Sequence, residues 1–345
     1  MTNNKEFNDY IKKEMKESWN FPGLAISIFN SSGIIYNYAD GFSDLKTKRH
    51  LQLTDKFCIA SCSKSMFCMA ITSLIVNDKI PNIWEMKISD LWFSDIHFKL
   101  KNIKVKYLAC HSFGISDFDD KPKKMEKILK DLKDLSPKQR RKKLVDILLS
   151  MEPENKIKEE VEYSNLGYVI LAAIIEKLTN KSYEEIIEEN VLNPLKIDPC
   201  FDKEKENIVN GHYSLWWDKS KGNQLIPLEK DQFISHVPFH SPGLVYMSIL
   251  DSAKYCQEYL KVINGVEGIL NEGIIRKLTT PIVDDYGYGW EIDEDGDITH
   301  DGDWQHNSSE YLICPEDDIG IVIMTNTEEA DFCEIINKFR DIFIT

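Results

Sequence analysis

The chain has 345 residues, enough for two lobes that share a sizeable core. Its 57 Asp+Glu against 42 Lys+Arg give a formal net charge of −15, which argues against nucleic acid or an anionic membrane as the main partner. No uncharged apolar run approaches the ~20 residues of a membrane span, and Met1-Thr2-Asn3-Asn4-Lys5-Glu6 lacks the apolar stretch of a secretory signal.

An amphipathic helix is expected over residues 6–18, with Phe7, Ile11 and Met15 on one stripe. Gly23-Leu24-Ala25-Ile26-Ser27-Ile28-Phe29 and Gly33-Ile34-Ile35-Tyr36-Asn37-Tyr38 flank Asn30-Ser31-Ser32-Gly33, a β-hairpin signal. Residues 61–76 follow as a helix that is apolar around nearly its whole circumference, so it belongs in the interior. From about 77 to 230 the pattern is mostly helix and loop. Ser136-Pro137-Lys138-Gln139 is a capping box with proline at the first helical position, opening a helix with Leu144, Val145, Ile147, Leu148 and Met151 inward. The basic run 121–143 is interrupted by Glu126, Asp131 and Asp134 and reads as a solvated helical face. A second apolar helix, 166–178, carries no charge until Glu176 and stops at Asn180.

Strand signals return after Gln232, at 243–246, 286–292, 298–300, 310–314 and 319–325. A closing helix over 328–344 places Phe332, Ile335, Ile336, Phe339 and Phe343 on one face. Both ends of the chain thus supply strands and helices, and the middle supplies helices. The expected organisation is one α/β (α+β) sheet domain built from 1–76 and 231–345, with a mostly helical domain, 77–230, inserted and an active site in the cleft between them. The eight cysteines (58, 62, 68, 110, 200, 256, 314 and 333) form no Cys-x-x-Cys pair and are expected as reduced, buried thiols of a cytoplasmic protein.

Three stretches carry chemistry. In Ser61-Cys62-Ser63-Lys64 the only charge of an apolar helix stands three residues after a serine, on the same face. Burial disfavours the ammonium, and a desolvated amine beside a hydroxyl makes serine a nucleophile. The bland reading is a chance tetrapeptide whose lysine reaches solvent. Cys62 is a rival nucleophile, but its side chain should point away from Lys64. In Glu162-Tyr163-Ser164-Asn165, Tyr163 precedes a buried helix, where a tyrosine is commonly a core or capping residue. Near a lysine ammonium its phenolate would be favoured and could accept the serine proton. In Thr299-His300-Asp301-Gly302-Asp303, Gly302 would let a substrate backbone approach, with the Asp303 N–H pointing into the cleft.

Together these resemble the serine β-lactamase-like superfamily, in the branch of class C β-lactamases, DD-peptidases, esterases, D-aminopeptidases and transacylases. Ser61-Cys62-Ser63-Lys64 resembles its Ser-x-x-Lys motif, Tyr163-Ser164-Asn165 its Tyr-x-Asn and His300-Asp301-Gly302 its Lys/His-x-Gly. His111-Ser112-Phe113-Gly114, Pro194-Leu195 and Tyr286-Gly287-Tyr288-Gly289-Trp290 resemble flanking family sequence. Pro242-Gly243 replaces a common Gly-Gly pair, and His306-Asn307 replaces Gly-Phe, so the rim of the cleft is expected to differ.

The resemblance implies a β-lactamase/transpeptidase-like fold, an antiparallel sheet flanked by helices. It implies acyl transfer from a small ester, amide or peptide through an acyl-enzyme, without cofactor or metal. Ser61 would be the nucleophile, Lys64 and Tyr163 would move its proton, and the N–H groups of Ser61 and Asp303 would form the oxyanion hole. Asn165 would bind the acyl-side amide or orient Lys64, and His300 and Gly302 would line the site. With His300 where penicillin-recognising members commonly carry lysine, neutral esters or amides are expected over β-lactams. Two rivals stand beside this reading. One is a metal site at His300, Asp301, Asp303 and His306, or a calcium loop at Asp293-Glu294-Asp295-Gly296-Asp297, whose sixth position is Ile298 and twelfth Trp304. The other is an inactive binding protein with the same fold.

Overall fold

The structure, a computed structural model, describes residues 2–117, 128, 130, 132, 134–198, 200–201, 207–214, 225–227, 244–328 and 330–344. Most of the basic run before Ser136, and Pro242-Gly243, lie outside the described residues.

Helix α1 (Thr2–Glu17) leads into β1 (Gly23–Asn30) and β2 (Gly33–Asp44). The turn between them is set by Asn30, whose Oδ1 accepts from the Ser32 and Gly33 N–H groups at 3.0 Å each. Short strands β3 (Arg49–His50) and β4 (Lys56–Cys58) precede α2 (Ser63–Val76). The middle of the chain supplies α3 (Pro137–Ser150), α4 (Asn165–Thr179), and the small pair β5 (His212–Ser214) and β6 (Leu225–Pro227). After β7 (Tyr246–Ser248) come α5 (Ile249–Ile263), β8 (Glu291–Ile292), β9 (Ile298–Trp304), β10 (Asn307–Cys314), β11 (Ile319–Thr325) and α6 (Cys333–Phe343).

The main sheet runs β3-β2-β1-β11-β10-β9-β8, antiparallel throughout, so the two ends of the chain meet at its centre. Leu24 pairs with Thr325 and Phe29 with Gly320. Both faces of β1 and β11 are covered, which is why these strands read as nearly continuous apolar runs. Leu24, Ile26 and Ile28 pack with Phe7 and Ile11 of α1 and Ile335 and Phe339 of α6. On the other face Ala25, Phe29, Val322 and Met324 join α5, α2 and α4 in one continuous core.

Helix α2 is buried from Ser63 to Leu74, as a helix without a polar face requires. The capping box at Ser136 forms with Gln139, but the inward stripe of α3 takes Leu149 in full, with Ile147 and Met151 only partly buried. One expectation is corrected within the basic run. Arg141 is buried and its guanidinium pairs with the equally buried Glu176 of α4, so this part of the run faces the interior. A cation can leave water there only because a carboxylate is already fixed opposite it. The strand expected over 286–292 is a strand only at its end. Gly287 N donates to Trp290 O at 2.8 Å, closing a tight turn.

Candidate active site

The nucleophile turn begins at Ala60, whose φ of 46° lies in the left-handed region that side chains other than glycine rarely adopt. Its surroundings hold it there. Ile59 N donates to Val245 O at 3.0 Å, and Ser63 Oγ donates to Ala60 O at 2.8 Å. Residues Ala60–Cys62 form a 3₁₀ turn, so Ser61 stands just ahead of α2 instead of inside its first turn. Cys62 is fully buried, its Sγ directed at the His300 carbonyl at 3.4 Å, and burial pushes its thiol well up. A thiol so protonated is a poor nucleophile.

Lys64 is 0% exposed. Its Nζ lies 2.7 Å from Ser61 Oγ and 2.5 Å from Tyr163 Oη, and the Tyr163 hydroxyl lies 2.7 Å from Ser61 Oγ. The three polar atoms form a closed triangle. Below it, Lys64 Nζ sits over the rings of Tyr163 and Tyr168, at 4.7 and 5.5 Å. Burial pulls the amine down to about 7, against the opposing pull of Asp117. The sequence expectation of a favoured phenolate is therefore corrected. Burial makes Tyr163 hold its proton more tightly than a free phenol, outweighing the opposing pull of its hydrogen bond with Ser61, although the residue remains 40% exposed. The group prepared to take a proton near neutral pH is the lysine.

Tyr163 is fixed by its neighbours. Its ring stacks on His111 at 4.3 Å between centroids, and His111 Nδ1 lies 3.0 Å from both the N and O of Ser164. Buried beside Lys64 and His300, the His111 imidazole is held neutral. Asn165, expected to meet substrate or Lys64, donates its Nδ2 to Asp117 Oδ2 at 2.8 Å. Asp117 was not singled out by the sequence. It lies three residues past Gly114 in a loop, and its partners are far along the chain, so no local pattern marks it.

The third stretch forms the end of β9. His300 is 1% exposed and both its ring nitrogens are engaged: Nδ1 lies 2.5 Å from Asp301 O, and Nε2 lies 2.6 Å from Tyr286 Oη. A carbonyl can only accept, so Nδ1 carries the proton and Nε2 accepts from the tyrosine. Burial lowers this imidazole to about 4, so it is neutral. The ring faces inward instead of lining the cleft. Gly302 also serves differently from expectation: a β-carbon there would stand 2.4 Å from Ile59 O and 3.1 Å from Ser61 N. Its bare α-carbon admits the nucleophile turn. Gly289 plays the same part on the other side, with φ +77° and a would-be β-carbon 2.5 Å from Ser65 N. The β9–β10 hairpin closes through Gln305 and His306, both at positive φ, with Trp304 paired to Asn307. Alternation along the ladder then makes Asp303–Ser308 a non-hydrogen-bonded pair, directing the Asp303 N–H away from β10.

Among the described residues no group of three or more His, Cys, Asp or Glu side chains is placed to hold a metal ion. Asp295-Gly296 is the turn expected from sequence, with Gly296 at φ 83° and its N–H donating to Asp293 O. A shallow groove between α1 and α6, lined by Tyr10, Glu14 and Lys338, lies on the opposite face of the sheet and takes no part in this site.

A Ser-Lys-Tyr triangle with a buried lysine, formed where the start of α2, the segment before α4 and the end of β9 meet, defines the class of site. The chain belongs to the Beta-lactamase family, whose sequence model matches residues 7–340. It is 22% identical to Protein flp of Staphylococcus aureus strain MW2 over 331 residues, covering 92% of this chain and 62% of that protein. It therefore spans less than two thirds of that relative's length. The fold is similar to the octameric penicillin-binding protein homologue from Pyrococcus abyssi, with a TM-score of 0.77, 22% identity and coverage of 97% of this chain and 76% of that one. It is also similar to EstCE1, a hydrolase with promiscuous acyltransferase activity, with a TM-score of 0.79, 17% identity and coverage of 99% and 98%.

Proposed function

We propose that this protein is a serine hydrolase or acyltransferase that forms an acyl-enzyme on Ser61 with a small ester or amide. The observation that carries the reading is the closed contact of Ser61 Oγ, Lys64 Nζ and Tyr163 Oη. Neutral Lys64 takes the Ser61 proton as Oγ bonds to the substrate carbonyl carbon. The N–H groups of Ser61 and Asp303 hold the resulting oxyanion, each worth about 3 kcal/mol. As the carbon–leaving-group bond breaks, Tyr163 gives its proton to the departing atom and is reprotonated by the Lys64 ammonium. Water, or an acceptor alcohol or amine, then attacks the acyl-enzyme by the same relay in reverse. Asn165 keeps its amide oxygen for the substrate's acyl-side N–H.

In this reading the third motif offers no cation to a substrate carboxylate, because His300 is neutral and occupied within the protein. Asp301 and Asp303 alternate onto the other face of β9, and Asp303 accepts from Ser308 Oγ at 2.7 Å. Without a cation from this strand, short uncharged esters or amides suit the site better than β-lactams, whose carboxylate would go unmatched. The cleft separates a sheet lobe, 1–76 with 231–345, from a helical lobe, 77–230. The eight thiols carry no disulfide, seven of them buried and Cys333 exposed where burial is expected, and they support a reducing compartment such as the cytoplasm.

The test is intact-mass spectrometry after incubation with a fluorophosphonate, on the wild type and on Ser61→Ala. One adduct on the wild type, mapped to Ser61 and absent from the variant, is expected. No adduct would favour an inactive binding protein, and an adduct retained by Ser61→Ala but lost in Cys62→Ala would move the nucleophile to the thiol. Comparing kcat/KM for p-nitrophenyl butyrate and a chromogenic cephalosporin at neutral pH tests the substrate class. A higher cephalosporin value would overturn it.

A further inference from the structure

Helix α4 opens without help from its own capping residue: Ser164 makes no side-chain bond to the first turn. Its orphan N–H groups are met by a carboxylate from a distant loop. Asp117 Oδ2 accepts from Asn165 N at 3.1 Å and Asn165 Nδ2 at 2.8 Å, and Oδ1 accepts from Ser164 Oγ at 3.0 Å and Leu166 N at 3.3 Å. Four donors from three consecutive residues converge on one side chain, at a helix end whose dipole favours a negative charge. Those three residues directly follow Tyr163. The clamp therefore sets where the Tyr163 backbone leaves the helix, while His111 stacks against the ring from the side.

We propose that Asp117 is a positioning residue of the Ser61–Lys64–Tyr163 relay, holding Tyr163 against Ser61 and supplying the negative charge that balances the Lys64 ammonium formed during turnover. This rests on the relay reading above. The electrostatics of Lys64 support it. The groups that face Lys64 are the hydroxyls of Ser61 and Tyr163, the Tyr168 ring, the thiols of Cys62 and Cys68, the imidazoles of His111 and His300, and the carboxylates of Asp117 and Asp301. The thiols are held protonated by burial and both imidazoles neutral. Two carboxylates remain, and Asp117 has the larger influence on the lysine, raising its proton affinity against burial. Asp117 spends its oxygens on Ser164, Asn165 and Leu166, so it stabilises the ammonium without hydrogen-bonding to it and leaves Nζ facing Ser61 and Tyr163.

The two parts of the proposal separate in two variants. Asp117→Asn keeps the shape but loses the charge, and its amide NH₂ must face a donor of Asn165 or of Ser164 and Leu166. Asp117→Glu keeps the charge but lengthens the reach. The measurement is the pH profile of kcat and kcat/KM for p-nitrophenyl butyrate, with folding checked by circular dichroism and wild-type competence by fluorophosphonate labelling. For Asp117→Asn the acidic limb should move to lower pH by about half a unit or more, because the ammonium loses its counter-charge, and kcat should fall about tenfold. For Asp117→Glu kcat should fall by a similar factor with the limb unmoved. An unmoved limb in folded Asp117→Asn overturns the charge role, and wild-type kcat in Asp117→Glu overturns the positioning role. If Asp117→Asn does not fold, Asp117→Glu alone decides the positioning. A wild type that takes no label would instead overturn the relay reading, and this inference with it.

Discussion

Lys64 Nζ reaches Ser61 Oγ at 2.7 Å although the two residues belong to different kinds of turn, Ser61 to a 3₁₀ turn and Lys64 to the first turn of α2. The tighter turn swings the serine forward over the helix end, where Tyr163 closes the triangle from the segment just before α4. Because each of the three atoms contacts both others, the relay should fail as a unit. Lys64→Ala and Tyr163→Phe should each lower kcat by about a hundredfold or more, and the double variant far less than the product of the two. Steady-state kinetics on one ester substrate checks this; independent, multiplicative losses would mean that the two residues act separately.

The pH dependence follows from the lysine. Lys64 acts as a base only when neutral, and burial brings it to about 7. Activity should therefore rise with pH through about 7 and level off above it, with no corresponding limb from the tyrosine, whose proton affinity is raised. The limb should persist in Tyr163→Phe, measured on whatever activity remains. A limb that vanishes there while staying in Lys64→Ala would make the phenol the base.

Holding a lysine in this place costs the fold. Lowering it from 10.5 to about 7 corresponds to about 5 kcal/mol of destabilisation below neutral pH. Between about 7 and 10.5 the unfolded chain binds a proton that the native chain does not, so this cost falls as pH rises across that window. Lys64→Met removes the amine and fills the same volume. It should melt a few degrees above the wild type at pH 7, and the gap should narrow by pH 10. Thermal unfolding at the two pH values decides this; a variant less stable at pH 7 would show that the hydrogen bonds of the triangle outweigh the burial.

Gly302→Ala should be destructive without replacing any polar side chain. Its β-carbon would press on Ile59 O and the Ser61 backbone, so β9 or the nucleophile turn must give way. Overpacking of this kind costs about 1–3 kcal/mol. Fluorophosphonate labelling should slow about tenfold or more, since a misplacement of about 1 Å is enough for such a loss. Wild-type labelling in a folded Gly302→Ala would mean that the turn has room to spare.

Much of this protein was legible in the sequence wherever the cause is local. The apolar stripe of α1, the Asn30-Ser31-Ser32-Gly33 turn, the capping box at Ser136 and the burial of α2 each depend on residues within one or two turns of one another. Ser61 and Lys64 belong to the same group, because a spacing of three residues puts their side chains on one face. What only the tertiary structure decided depends on residues far apart in the chain and on the exclusion of water. The pairing of β1 with β11, the Arg141–Glu176 pair inside a run that reads as solvated, and the clamp of Asp117 on α4 have no local signature. Gly302 looked like room for a substrate, but its close neighbour is Ile59, which no pattern in either segment announces. The same holds for the proton affinities. A lysine beside a tyrosine predicts a favoured phenolate, yet burial disfavours every charged form, and it lowers the lysine while raising the phenol. Sequence carries the residue types and their periodicity; how much water each group loses is settled only once the whole chain has closed around it.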